Sequence, residues 1–120
     1  MNIQTQTIVP IGGKDYTVNY PNVGQVIEIE NLKLLLSGNM YGDLIKSNHA
    51  TGVELLNLVD GVSYFSVLAP DFKKDFATDK FTEMDVFKQK QIIKAFKKTF
   101  WPWFSGVDAE LNKEDDEKVA

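Results

Sequence analysis

The sequence predicts a mostly helical α+β domain. An N-terminal β-hairpin leads into a three- to four-helix bundle, which is followed by a disordered acidic tail. Three observations predict it. Two β-rich runs flank Gly12-Gly13, a pair suited to a tight turn. Three later stretches carry apolar residues at helical spacing between recognisable caps. Residues 105–120 hold six acids and few apolar side chains. The expected organisation is one domain over residues 1–104, with the hairpin at 3–20, and a tail over 105–120.

The hairpin is expected from Ile3–Val9 and Tyr16–Tyr20. Tyr16, Val18 and Tyr20 alternate with Thr17 and Asn19, the two-residue period of a half-buried strand. Two strands alone are marginal in water, so the hairpin must lie on a helix or join a partner's sheet. The first helix starts after Pro21, with Asn22 as N-cap and Gln25 three residues on, a capping-box spacing. Val23, Val26, Ile27 and Leu34 form one stripe, and Ile29, Leu32 and Leu36 a second. A helix apolar on two faces is expected to be sandwiched. Ser37-Gly38 ends it, and residues 39–48 read as a loop or short helical turn.

The second helix is expected from Thr51, with Glu54 completing a capping box, to a stop at Pro70. Leu55, Leu56, Val59, Val62 and Phe65 carry its apolar face. Gly61 in mid-helix costs about 1 kcal/mol against alanine and points to close helix packing. Asp71–Ala77 offers one further turn. The third helix is expected from Thr82, with Asp85 at its third position and a Phe81–Val86 staple. At about 100° per residue, Val86, Ile92, Ile93, Phe96 and Phe100 share one arc, and Lys90, Lys94, Lys97 and Lys98 the opposite one. Phe87 and Trp101 project on the lysine side. Pro102 disfavours helix at Trp101, so a kink or restart is expected there.

Composition narrows the function. All 13 basic residues are lysine, and there is no cysteine. Disulfides and thiolate metal sites are therefore excluded. The acids Asp108, Glu110, Glu114, Asp115, Asp116 and Glu117 against Lys113 and Lys118 put the whole net charge of −4 in the tail. The neutral remainder lacks the basic footprint of a nucleic-acid binder, and without arginine it lacks the planar fork that reads guanine. No apolar run reaches the ~20 residues of a membrane span, and Met1–Thr7 lacks the features of a signal peptide. The expectation is a soluble protein of a reducing cytosol.

No catalytic residue, cofactor site or metal site is expected. His49 stands alone in a polar loop, where an exposed role is the plain reading. Glu28 and Glu30 face apart on a helix. Asp71 and Asp75 are interleaved by Lys73 and Lys74, as in a solvated charge run. Gly12-Gly13-Lys14 has the look of a P-loop end, but lacks the first glycine and the strand-to-helix context, and reads as a hairpin turn.

The segment Phe96–Phe104 holds five aromatics in nine residues, including both tryptophans. Phe96 and Phe100 lie in the core arc. Phe87, Trp101, Trp103 and Phe104 are the candidate partner-binding residues, since tryptophan is enriched at binding hot spots. The lysine face could rest on an anionic membrane, dock a partner helix, or simply be solvated. The acidic tail argues against the membrane.

The segment Tyr20-Pro21-Asn22-Val23-Gly24-Gln25-Val26-Ile27-Glu28-Ile29-Glu30, with Lys33, Leu36-Ser37-Gly38 and Met40-Tyr41, resembles small tail assembly chaperones of long-tailed bacteriophages, of the kind infecting Bacteroidetes-type hosts. The similarity extends over residues 14–104 and includes the order of elements, from short hairpin to late Pro-Trp element. It implies a non-enzymatic protein of the host cytoplasm. Such a protein coats an aggregation-prone tape-measure protein, or another tail protein, until the tail tube polymerises. Many such chaperones also have an extended form made by translational frameshifting; the resemblance leaves open whether this chain has one and whether it self-associates into a homo-oligomer. Two alternatives remain: a structural head-tail or tail protein that stays in the virion, its hairpin augmenting a sheet, and a small phage modulator of a host protein.

Overall fold

The computed structural model describes residues 4–76 and 78–119, and the side chains of 4–76 and 81–113. Strands β1 (Gln6–Ile11) and β2 (Lys14–Asn19) form an antiparallel hairpin with Val9 opposite Tyr16 and Ile11 opposite Lys14. Gly12 and Gly13 turn the chain with φ of +61° and +84°. Two successive positive φ values make the mirror-image turn that matches strand twist, and glycine alone adopts them without cost. Val9, Ile11, Tyr16 and Val18 are buried, while Thr17 and Asn19 are exposed, the expected alternation. The strands sit closer to the turn than expected, so β1 includes Pro10. Beside the hydrogen-bonded closing pair of a two-residue turn, Pro10 falls where no ladder N–H is needed.

The hairpin packs against helix α3 (Ala50–Leu68) and helix α5 (Val86–Ala95). Helices α1 (Val23–Leu36) and α2 (Tyr41–Ile45) cover another side of α3. A one-turn helix α4 (Phe72–Phe76) and a 3₁₀ segment (Thr78–Glu83) lead into α5. The core is aromatic: Phe65, Phe72 and Phe100 are fully buried with Ile11, Ile29, Leu68 and Ile92.

The first helix follows its local signals closely. Asn22 Oδ1 accepts the Gln25 N–H at 2.8 Å, and Gln25 Oε1 accepts the Asn22 N–H at 3.0 Å. At the other end the Asn39 N–H bonds the Leu34 carbonyl at 2.9 Å and the Gly38 N–H that of Leu35 at 3.2 Å. This is the paired closure of a Schellman motif, with Gly38 at φ +61°. The expected sandwich fails, however. Only Ile29 and Lys33 are buried on α1, and Val23, Val26, Ile27 and Leu34 face solvent.

Two other helix starts differ from expectation. The second long helix begins at Ala50, one residue before Thr51, with His49 as N-cap. Glu54 turns instead to Lys90 at 3.0 Å, so the Thr51–Glu54 box does not form. The third begins at Val86, with Asp85 itself as N-cap accepting the Lys88 N–H at 2.9 Å. Thr82 lies in the preceding 3₁₀ segment and Val86 is exposed, so the proposed staple is absent. Asp75 also departs from a solvated charge run. It accepts Lys14 Nζ and Tyr16 Oη, each at 2.7 Å, and ties the hairpin to α4.

Pro102 does not end the third helix. Phe96–Phe100 widens into a π turn, in which the Trp101 N–H reaches back to the Phe96 carbonyl, and α6 (Trp101–Val119) continues from it. Proline has no N–H to offer the ladder and its ring clashes with the carbonyl four residues back, strain that a wider turn relieves. The backbone therefore stays helical past residue 104, where the folded domain was expected to end. Val107, assigned to the tail by composition, is buried. The side chains of 114–120, where most of the tail's acids lie, are outside the described residues.

Candidate functional site

The structure divides the four candidate partner-binding aromatics. Phe87, on the first turn of α5, is 81% exposed, and Trp101 is 44% exposed. Trp103 and Phe104 are half-buried and belong to the fold. The Trp103 indole Nε1 donates to the Gln4 carbonyl at 2.9 Å, pinning the residue that leads into β1. Phe104 stacks on Tyr20 at 5.1 Å and on Phe100 at 5.4 Å between ring centres. Phe87 and Trp101 do not form one patch: fourteen helical residues set them about 20 Å apart along the axis.

Trp101 forms one wall of a cleft between α3 and the π turn, lined also by Asn57, Asp60, Phe96 and Lys97. Its volume is about 290 Å³. Behind it lies a polar cluster. Lys33 is only 6% exposed, although charged, because its ammonium sits 4.8 Å from the Tyr64 ring centre and 5.3 Å from that of Tyr41. Glu30 pairs with it at 3.1 Å. The Tyr41 hydroxyl donates to Asp60 Oδ1. Tyr64 continues the aromatic wall, with its ring centre 6.5 Å from that of Trp101.

The cluster distorts its own titrations. Burial pushes the Asp60 carboxyl above the usual range, against the pull of the Tyr41 hydrogen bond and of Lys33. Burial also works against the charge on Lys33, but Tyr64, Glu30 and Asp60 together hold its ammonium above the ordinary value. Tyr41 is raised by burial first and by its bond to Asp60 second. Two carboxylates thus share one lysine, leaving a net charge of −1 at a half-buried site.

Sequence reading missed Asp60, Asn57 and Tyr64 here. A signal for Lys33 was present: at 100° steps it falls in the arc of Ile29 and Leu36, where a solvated lysine does not belong. Lys33 and Tyr41, quoted above for the family resemblance, meet at this cluster.

The second surface is α1. Val23 is 77% and Leu35 75% exposed, and Val26, Ile27 and Leu34 are exposed as well. Glu28 and Glu30 are exposed on the same helix, and Met40 and Ile45 are exposed after it. Among the described residues, no group of His, Asp and Glu is placed to hold a metal ion. His49 is exposed at the start of α3. Gly12-Gly13-Lys14 forms the hairpin turn, with Lys14 bound to Asp75. No described helix is long and apolar enough to cross a membrane. No family model matches the chain, and neither a curated protein nor a solved structure matches it.

Proposed function

We propose that the protein is a non-enzymatic bacteriophage tail assembly chaperone, acting in the host cytoplasm. It holds an apolar helical segment of the tape-measure protein on the outer face of α1. The resemblance over residues 14–104 suggests the family. The observation that carries the physical part is the exposure of Val23, Val26, Ile27 and Leu34 along one face of α1. A soluble domain does not leave such a row unpartnered without reason, and a row at helical spacing fits the apolar side of a second helix. Glu30 lies within this stripe and is 58% exposed beside its pairing with Lys33, which favours a partner with a lysine or arginine opposite it.

The test is capture from infected cells, read by mass spectrometry. The tape-measure protein should co-purify with the wild-type chain, and the double variant Ile27→Asp, Leu34→Asp should lose it. Both positions are exposed, so circular dichroism should report an intact fold. Stoichiometric recovery of the chain in purified virions would instead identify a structural tail protein. Capture of the tape-measure protein unchanged by the double variant would overturn the α1 surface.

A further inference from the structure

We propose that the cleft between α3 and the π turn receives an arginine side chain of the partner, its guanidinium stacked on Trp101 and hydrogen-bonded to the Asp60 carboxylate. The inference rests on the reading of the chain as a partner-binding protein, but on a different surface from α1.

Three observations carry it. The first is charge. Lys33 makes its ion pair with Glu30, and among the described residues Asp60 makes none. One Asp60 oxygen takes the Tyr41 hydroxyl, which leaves the carboxylate further lone pairs for a donor. The cleft floor therefore carries a half-buried carboxylate with no direct ion pair, its neighbour Lys33 being engaged by Glu30. The second is the wall. Trp101 stacks on Phe104 at 5.5 Å and is tilted against Phe96 at 5.8 Å, yet stays 44% exposed, and the indole surface left open lines the cleft together with that carboxylate. Aromatic face plus carboxylate is the combination a guanidinium matches, because it is flat, weakly hydrated and forks its donors. The Asn57 side-chain oxygen is a second acceptor on the same helix as Asp60. The third is size. About 290 Å³ is at the lower end of ligand clefts, suited to one long side chain.

Lys97 also lines the cleft and makes no ion pair among the described residues. Its ammonium opposes a second compact, strongly hydrated cation more than a guanidinium that stacks, which favours arginine over lysine. This chain contains no arginine, so a second copy cannot supply the guest.

The probe is N-acetyl-arginine N-methylamide, added to the full-length ¹⁵N-labelled protein and followed at the Trp101 indole N–H resonance. The neutral citrulline analogue and the lysine analogue serve as comparisons. The arginine compound should shift that resonance saturably, the lysine compound more weakly, and the citrulline compound not saturably. Asp60→Asn keeps an acceptor for Tyr41 and should weaken arginine binding about ten-fold or more, the loss of a charge-assisted bond. Trp101→Ala, at an exposed position, should weaken it as well, read at the Asn57 side-chain amide. Equal response to arginine and citrulline, or binding indifferent to both substitutions, would overturn the proposal. If the cleft variants still capture the tape-measure protein while the α1 variant does not, the arginine site fails and the chaperone reading stands. If arginine binds as described but no tail protein is captured, the reverse holds.

Discussion

Phe100 and Trp101 are neighbours in sequence with opposite fates. Phe100 is fully buried among Phe65, Tyr64 and Phe104. Phe100→Ala should therefore cost about 3–5 kcal/mol, the cavity penalty of a core phenylalanine, measured by denaturant unfolding. Trp101→Ala should cost far less, and a loss as large as that of Phe100→Ala would show the indole to be core. Angular placement on the helix was enough to separate this pair, as it was for Phe87 and Phe96. It could not place Trp103 or Phe104, because their partners, Gln4 and Tyr20, come from the other end of the chain. Gly61 was legible as a packing glycine, and the structure gives the reason. A Cβ there would lie 2.9 Å from Ile92 Cγ2 and 3.3 Å from Phe96 Cβ. Gly61→Ala gains about 1 kcal/mol of helix propensity but overpacks the α3–α5 contact, a cost of about 1–3 kcal/mol. Net destabilisation is expected; a variant that melts higher than wild type would mean that α5 gives way easily.

At the scale of elements, legibility follows the range of the interactions. The glycine turn and both ends of α1 depend on residues two to five apart, and the sequence displays them. The starts of α3 and α5 were misplaced because Thr51, Thr82 and Asp85 are all competent caps. The structure caps α3 with His49 and α5 with Asp85, which accepts the Lys88 N–H, while Glu54 pairs with Lys90. Apolar periodicity marked the faces of α1 but not which of them the fold would use, since an exposed apolar face has the same period as a core face. The hairpin is held by a bond that sequence spacing could not show. Asp75 is kept below the usual carboxylate range by its hydrogen bonds from Lys14 and then Tyr16. A depressed folded pKa adds stability above the unfolded value, about 3.9, and loses it as the pH falls through the folded one. Asp60, raised by burial, has the opposite sign: its contribution is favourable below the unfolded value and is lost as pH rises through the folded one. Acidification below about pH 4 should therefore loosen the hairpin while relieving the cleft. Asp75→Asn should reduce the drop in thermal midpoint between pH 7 and pH 3; an unchanged drop would remove Asp75 from the account.

For the whole molecule, the question is where folding ends along α6. Composition alone puts the limit at residue 104, because beyond it apolar side chains are few. The structure buries Val107 and half-buries Leu111, and brings the Tyr20 hydroxyl to Asp108 at 3.5 Å. Two truncations should then behave differently. Stopping after Lys113 removes four acids and one lysine, which takes the net charge from −4 to −1, and leaves Val107 and Leu111 in place. Stability should be unchanged, while solubility falls as the charge that keeps copies apart is lost. Stopping after Gly106 also removes the buried Val107, worth about 1.5–3 kcal/mol if its burial is complete. It further frays the helix end that carries Trp103 and Phe104 against Tyr20. The thermal midpoint of this shorter chain should drop by several degrees relative to the chain ending at Lys113. Equal midpoints for the two would return the limit of the fold to residue 104 and reduce α6 beyond it to a solvated extension. An unequal pair places the acidic segment on a helix anchored in the core, where its charge is held at a fixed end of the molecule.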